Sequence, residues 1–401
     1  MQPRRQFLQT LAAARAFGAN DTINIGCIGT GGRAQVLMKN LESVPGVRIG
    51  AVCDVWQENL EKARQIAGPK AFVTNDYRAL LDRKDIDAVL IGAPDHQHVP
   101  LTIAACDAAK DVYVEKPLTH DLSEGQAVIA AKQRSRRIVQ VGMQQRSMPH
   151  MIKAREMVRA GMIGKIHKVH LTWNRNHNRW ARPNYAVDPK QVDWKTWLGG
   201  APAQPFDEYK FRQWRWFWDF GGGIFTDLMV HYIDVVHWFL DLDHPAMATS
   251  IGDHFATKGL WETPETVQTL LRYPSSDLQV YFEGTFVNAR NAAMLEFMGR
   301  DGTLYMDRGR YEFHPEVKRP TYNQPPEPSK FEYTEWVLGK GPRGADFYDN
   351  PNGEVLHLAN WAECMRTRKE PNAPVEAGVS SASAAHMANR ALRTGQVAYW
   401  S

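Results

Sequence analysis

Asp227 and His231 stand four residues apart in the run Gly221-Gly222-Gly223-Ile224-Phe225-Thr226-Asp227-Leu228-Met229-Val230-His231. On a helix that spacing sets both side chains on one face. A carboxylate beside an imidazole suits proton transfer near neutral pH. Taking a hydride from a secondary alcohol requires the hydroxyl proton to leave as well; His231 can accept it, while Asp227 orients the imidazole or the substrate. A third charged group, Lys116, closes the apolar run Val112-Tyr113-Val114 in Glu115-Lys116-Pro117. At the carboxyl end of a parallel strand it faces the crevice in which such sheets bind ligands, where it can polarise a substrate oxygen or steady an alkoxide. Each group alone also reads as ordinary surface: a helical i, i+4 pair, or a lysine after a strand. The glycine run and the nearby Arg212, Trp214, Arg215, Trp216 and Trp218 argue for a cleft, with Trp218 a candidate for stacking on a sugar.

A hydride needs an acceptor, and Gly29-Thr30-Gly31-Gly32-Arg33-Ala34 supplies a place for one. The segment fits GxGxxA directly after an apolar run and before a helical pattern. Gly29 permits the tight turn, Gly31 the approach of a diphosphate, and Ala34 close packing of helix on strand. The helix start adds free N–H groups and a positive dipole end. Asp54, at the end of the next strand, can accept hydrogen bonds from the adenosine ribose and disfavours a 2′-phosphate. NAD is therefore expected, with NADP kept open by Arg33. A polar and aromatic stretch at Asn176, Arg179 and Trp180 is a second candidate substrate surface. His167 and His170 lie nearby, but no paired ligand spacing supports a metal, and none is expected.

These groups need a scaffold. From Thr22 the chain alternates short apolar runs, at Ile23–Ile28, Val47–Cys53, Ala88–Ile91, Val112–Val114 and Ile138–Val141, with amphipathic stretches at βαβ distances. That pattern predicts an α/β domain with a parallel sheet over residues 21–145. After Arg146 come period-two runs at 165–175, 247–254, 266–273, 278–286, 294–298 and 303–306, separated by turn signals. They predict a mostly antiparallel sheet in a second, α+β domain over residues 146–401, with closing helices near 354–368 and 379–394.

The 401 residues exceed what one core usually serves. A net charge of +4 without a basic cluster gives no reason to expect a nucleic-acid partner, and no apolar run reaches membrane-spanning length. Four dispersed cysteines read as buried apolar residues. Residues 1–20, with Arg4-Arg5-Gln6-Phe7-Leu8, read as a twin-arginine export signal or a disordered leader. Periplasmic location is the first expectation and the cytoplasm the alternative.

The combination of Gly29-Thr30-Gly31, Ala93-Pro94-Asp95-His96-Gln97-His98, Glu115-Lys116-Pro117 and Asp227 with His231 resembles the Gfo/Idh/MocA oxidoreductases over nearly the whole chain. The resemblance implies that Lys116, Asp227 and His231 form the catalytic set. It also implies that Pro94, His98 and Glu115 lie at the nicotinamide end, and that dimers or tetramers form through the open face of the second sheet. A related branch cleaves glycosides by transient oxidation with NAD, but it departs from the Glu-Lys-Pro pattern kept here. The leading expectation is an NAD(P)-dependent dehydrogenase acting on a CH–OH group of a sugar, glycoside or cyclitol. The glycosidase and a non-catalytic ligand sensor are the alternatives.

Overall fold

The computed structural model describes residues 22–177, 181–318, 321, 323–338 and 352–400. Strands β1 (Ile23–Ile28), β2 (Val47–Cys53), β3 (Phe72–Thr74), β4 (Ala88–Ile91), β5 (Asp111–Val114) and β6 (Val139–Val141) form a parallel sheet in the order β3-β2-β1-β4-β5-β6. Every residue of β4, β5 and β6 is buried, because helices cover both faces, and the strands consequently read as unbroken apolar runs. Strand order reverses between β1 and β4. The crevice beyond the carboxyl ends of that pair is where a sheet of this topology takes its ligand. β3 was not foreseen; three residues leave too little pattern to see.

The second sheet has nine strands: β7 (Ile166–Asn174), β8 (Met247–Asp253), β9 (Thr266–Tyr273), β10 (Leu278–Thr285), β11 (Ala293–Gly299), β12 (Gly302–Asp307), β13 (Arg310–Pro315), β14 (Thr334–Val337) and β15 (Ala398–Tyr399). They lie in the order β14-β13-β12-β11-β7-β10-β9-β8-β15, antiparallel except where β7 meets β10. Val267, Thr269, Leu271 and Tyr273 alternate into the core while Gln268 and Leu270 face outward, the mark of a sheet covered on one side. Helices Val230–Leu240 and Val375–Thr394 pack on the covered face. Ile251 and Leu270 stay exposed among the strand residues of the other face.

Helix Gly353–Thr367 departs from the expected division of the chain. It returns to the first sheet and packs Leu358, Trp361 and Met365 into the core formed by Ile25, Leu90 and Tyr113. Trp361 meets Tyr113 edge to face at 5.6 Å. Its apolar positions are clear in the sequence, but nothing local states which sheet they cover. All four cysteines are free and buried.

Candidate active site

The loop after β1 is built for close approach. Gly29 has φ +73°, and a Cβ there would lie 2.6 Å from the Ala93 backbone, so both conformation and space require glycine. Beyond it the ground opens: a Cβ on Gly31 would have Asn59 as its nearest neighbour at 3.8 Å, and one on Gly32 would meet nothing within 4 Å. Helix Gly32–Leu41 starts here with no side-chain cap and no acidic residue in its first turn. Its leading N–H groups thus front an open groove, the seat a diphosphate requires. Asp54 holds the loop in place by accepting from the Thr30 amide at 2.6 Å and the Trp56 amide at 2.9 Å. Burial pushes its carboxyl up to about 6, with those amides opposing the rise. Trp56, Asn59, Asn75 and Tyr77 continue the groove wall, and Thr196, Trp197, Phe211 and Arg212 reach across from the second domain to line it. The residues present fit a dinucleotide.

The groove leads into a polar chamber. Arg33, Gly92, Ala93, Trp214 and Arg215 line both spaces. Lys116 Nζ donates to the Asp227 carbonyl at 2.7 Å and to its Oδ1 at 3.0 Å, and Arg215 Nε donates to the same Oδ1 at 3.1 Å. Burial works to raise the Asp227 pKa, but Lys116 and Arg215 outweigh it and hold the carboxyl well below the usual range. Asp227 sits in a π-helical turn, Phe225–Met229, that runs into helix Val230–Leu240. The sequence spacing predicted a regular α-helix; wide turns of this kind recur at functional sites. His231, on the first turn of the following helix, stacks on Trp173 at 5.1 Å and lines the same chamber. Burial first, then the charge of Lys116, depress its pKa well below the ordinary imidazole value. The ring is therefore neutral near pH 7 and able to take a proton.

The remaining expected residues divide. Glu115 lines the chamber and pairs with Arg33 at 3.1 Å. Arg33 also holds Glu354 of the returning helix. Burial disfavours its charge, yet Glu115 and Glu354 keep the guanidinium firmly protonated. Committed to two carboxylates, Arg33 is not turned toward a ribose 2′-phosphate. Pro94 lines the groove and precedes helix Asp95–Asp107. His98 borders the chamber as a clamp, its ring nitrogens 2.6 Å from the Pro117 carbonyl and 2.8 Å from that of Ala93.

Asn176 is exposed, whereas Arg175 and His177 line the chamber. Side chains alternate along an extended segment, so burial of Trp173 assigns the inner face to the odd positions. Trp218 lies outside the lining as well: Arg393 covers its ring at 4.9 Å, while Trp214 and Trp216 face the chamber. Arg179 and Trp180 fall outside the described residues. Asp95, Gln144, Trp261 and Phe286 line the chamber and were not singled out. Asp95 had a signal, its place inside the quoted Pro94 to His98 motif. Trp261 and Phe286 come from loops distant in sequence and had none.

Residues 23–143 match the Gfo/Idh/MocA oxidoreductase family, NAD-binding Rossmann fold, and residues 151–305 match that family's C-terminal domain. Inositol 2-dehydrogenase of Salmonella paratyphi B is 28% identical over 225 residues, 56% of each chain, so this chain spans little more than half the length of that relative. Myo-inositol 2-dehydrogenase of Thermotoga maritima is 25% identical over 302 residues, 72% of this chain and 76% of the relative. The crystal structure of myo-inositol 2-dehydrogenase from Lactobacillus plantarum superposes with a TM-score of 0.69 over 95% of this chain and 100% of the other, at 21% identity. With both halves of the chain matched and the two-sheet architecture shared, the protein belongs to the Gfo/Idh/MocA family of NAD-binding oxidoreductases.

Proposed function

We propose that the protein is an NAD-dependent dehydrogenase that oxidises a secondary hydroxyl of a sugar or cyclitol. One observation carries this reading: the nucleotide groove opens, through walls that it shares, onto a chamber in which Lys116, Asp227 and His231 converge. Bound NAD supplies the hydride acceptor. His231, neutral and buried, takes the hydroxyl proton. Lys116, held on Asp227, offers its ammonium to the oxygen as negative charge develops. Arg215 shares the Asp227 carboxylate and fixes its direction. The pairing of Arg33 with Glu115 and Glu354 favours NAD over NADP. The similarity to inositol dehydrogenases supports a polyol substrate.

The test is NADH formation by the purified chain over a panel of cyclitols, hexoses and glycosides, with NAD⁺ and NADP⁺ compared. Release of nitrophenol from nitrophenyl glycosides without net NADH would replace this reading by glycoside cleavage. Ligand binding with no turnover of any kind would replace it by a sensor. Two further expectations belong to the same reading. The open face of the second sheet, with Ile251 and Leu270 exposed, buries against a second copy, which sedimentation tests. Export through the Arg4-Arg5 leader is tested by cell fractionation; no helix among the described residues is long and apolar enough to cross a membrane.

A further inference from the structure

The charges around the chamber are not spread evenly. On its nucleotide side, Arg33 is matched by Glu115 and backed by Glu354. On the far side, Lys116 and Arg215 share the single carboxylate of Asp227, and Arg175 adds a further cation. The guanidinium of Arg175 lies 5.5 Å from the centre of the Trp173 ring, the same indole on which His231 stacks. The guanidinium of Arg215 lies 4.2 Å over the Trp214 ring; with Nε on Asp227, its terminal nitrogens have no acceptor among the described residues. Asp95 does not restore the balance, since it is buried and burial favours its neutral form. Two planar, aromatic-backed forks thus face one cavity beside the proton acceptor. Neutral hydroxyls need no such excess of positive charge, whereas a carboxylate matches guanidinium geometry with paired hydrogen bonds.

We propose that the substrate is a sugar acid, its carboxylate held by Arg175 and Arg215 while a neighbouring ring hydroxyl is presented to Lys116 and His231. This rests on the dehydrogenase reading for the chemistry but not for the binding. The test therefore uses two readouts. The first is equilibrium binding to the full chain loaded with NADH, followed through quenching of tryptophan emission. The ligands are glucuronate, its methyl ester, glucose, myo-inositol and glucose 6-phosphate, with the galacto-configured set alongside. The second readout is NADH formation from the same compounds with NAD⁺.

The acid of at least one pair is expected to bind ten-fold or more tightly than its ester and its parent sugar. Arg175→Gln should erase that preference and Arg175→Lys should retain part of it, while binding of the neutral sugar stays within about twofold. The acid-to-ester comparison is made on unaltered protein, so it holds even where a variant fails to fold. Equal binding of acid and ester across both sets, or tighter binding of the phosphate, overturns the proposal. Preferential binding of the acid with no NADH from any compound leaves the anion site standing and removes the dehydrogenase. NADH formed as readily from neutral sugars as from acids does the reverse.

Discussion

The groove and the chamber are neighbours built on opposite principles. The groove grips with backbone: a glycine with positive φ, an uncapped helix start, and a carboxylate whose partners are the Thr30 and Trp56 amides. All of it comes from one βαβ unit. The chamber works with side chains, and these come from afar; Lys116 and Asp227 are 111 residues apart. Its charges are also mutually dependent, since each cation leans on a carboxylate that another cation shares. A backbone site needs local conformation, whereas a side-chain site needs the whole fold to be right.

The sharpest way to probe that difference is to remove chamber groups. Lys116→Ala and His231→Ala should each lower kcat by about 10²–10⁴-fold while the NADH dissociation constant changes by less than about threefold. Equal losses in both quantities would mean that groove and chamber are one unit. Next in size, Gly29→Ala puts a Cβ against the Ala93 backbone at positive φ. It should weaken NADH binding by about tenfold or more, as a titration of NADH fluorescence would show. Unchanged affinity would indicate that the loop is not the grip.

A subtler probe is pH. A base whose pKa is depressed stays neutral, and active, to lower pH. The acid limb of kcat/KM should therefore lie below the ordinary imidazole range near pH 6.5, and a midpoint at or above that value would remove His231 from the role of base. The smallest effect belongs to Asn176→Ala, which should leave kcat/KM within about twofold because the side chain faces solvent. His177→Ala, one position on, should raise KM by more than that.

Much of this was legible beforehand, for reasons that differ by region. The ranges of β1, β2 and β4 could be read directly because strands buried on both faces are unbroken apolar runs. The Gly29 to Ala34 loop and Asp54 could be read because a diphosphate site needs small residues at fixed intervals. Lys116, Asp227 and His231 stood out by motif. The inward face at Arg175 and His177 was available in principle from the alternation that buries Trp173, yet Asn176 was chosen on its chemistry alone. Trp214 and Trp216 were separated from Trp218 by a short 3₁₀ turn, Trp214–Trp216, that redirects the chain, and a run of tryptophans carries no sign of where such a turn falls. Strands β13 to β15 are short or lie beyond a proline-rich stretch, and the destination of helix Gly353–Thr367 is a matter of long-range packing.

The grip of Arg33 on Glu354 has a consequence for how the protein comes into being. The arginine belongs to the loop that seats the dinucleotide, and its partner opens a helix at residue 353 of 401. On the ribosome, the nucleotide half is threaded out first but lacks one of its own walls until almost the last codon has been read. Cofactor capture should accordingly be a late event in biogenesis, and fragments ending before that helix should emerge as apoprotein.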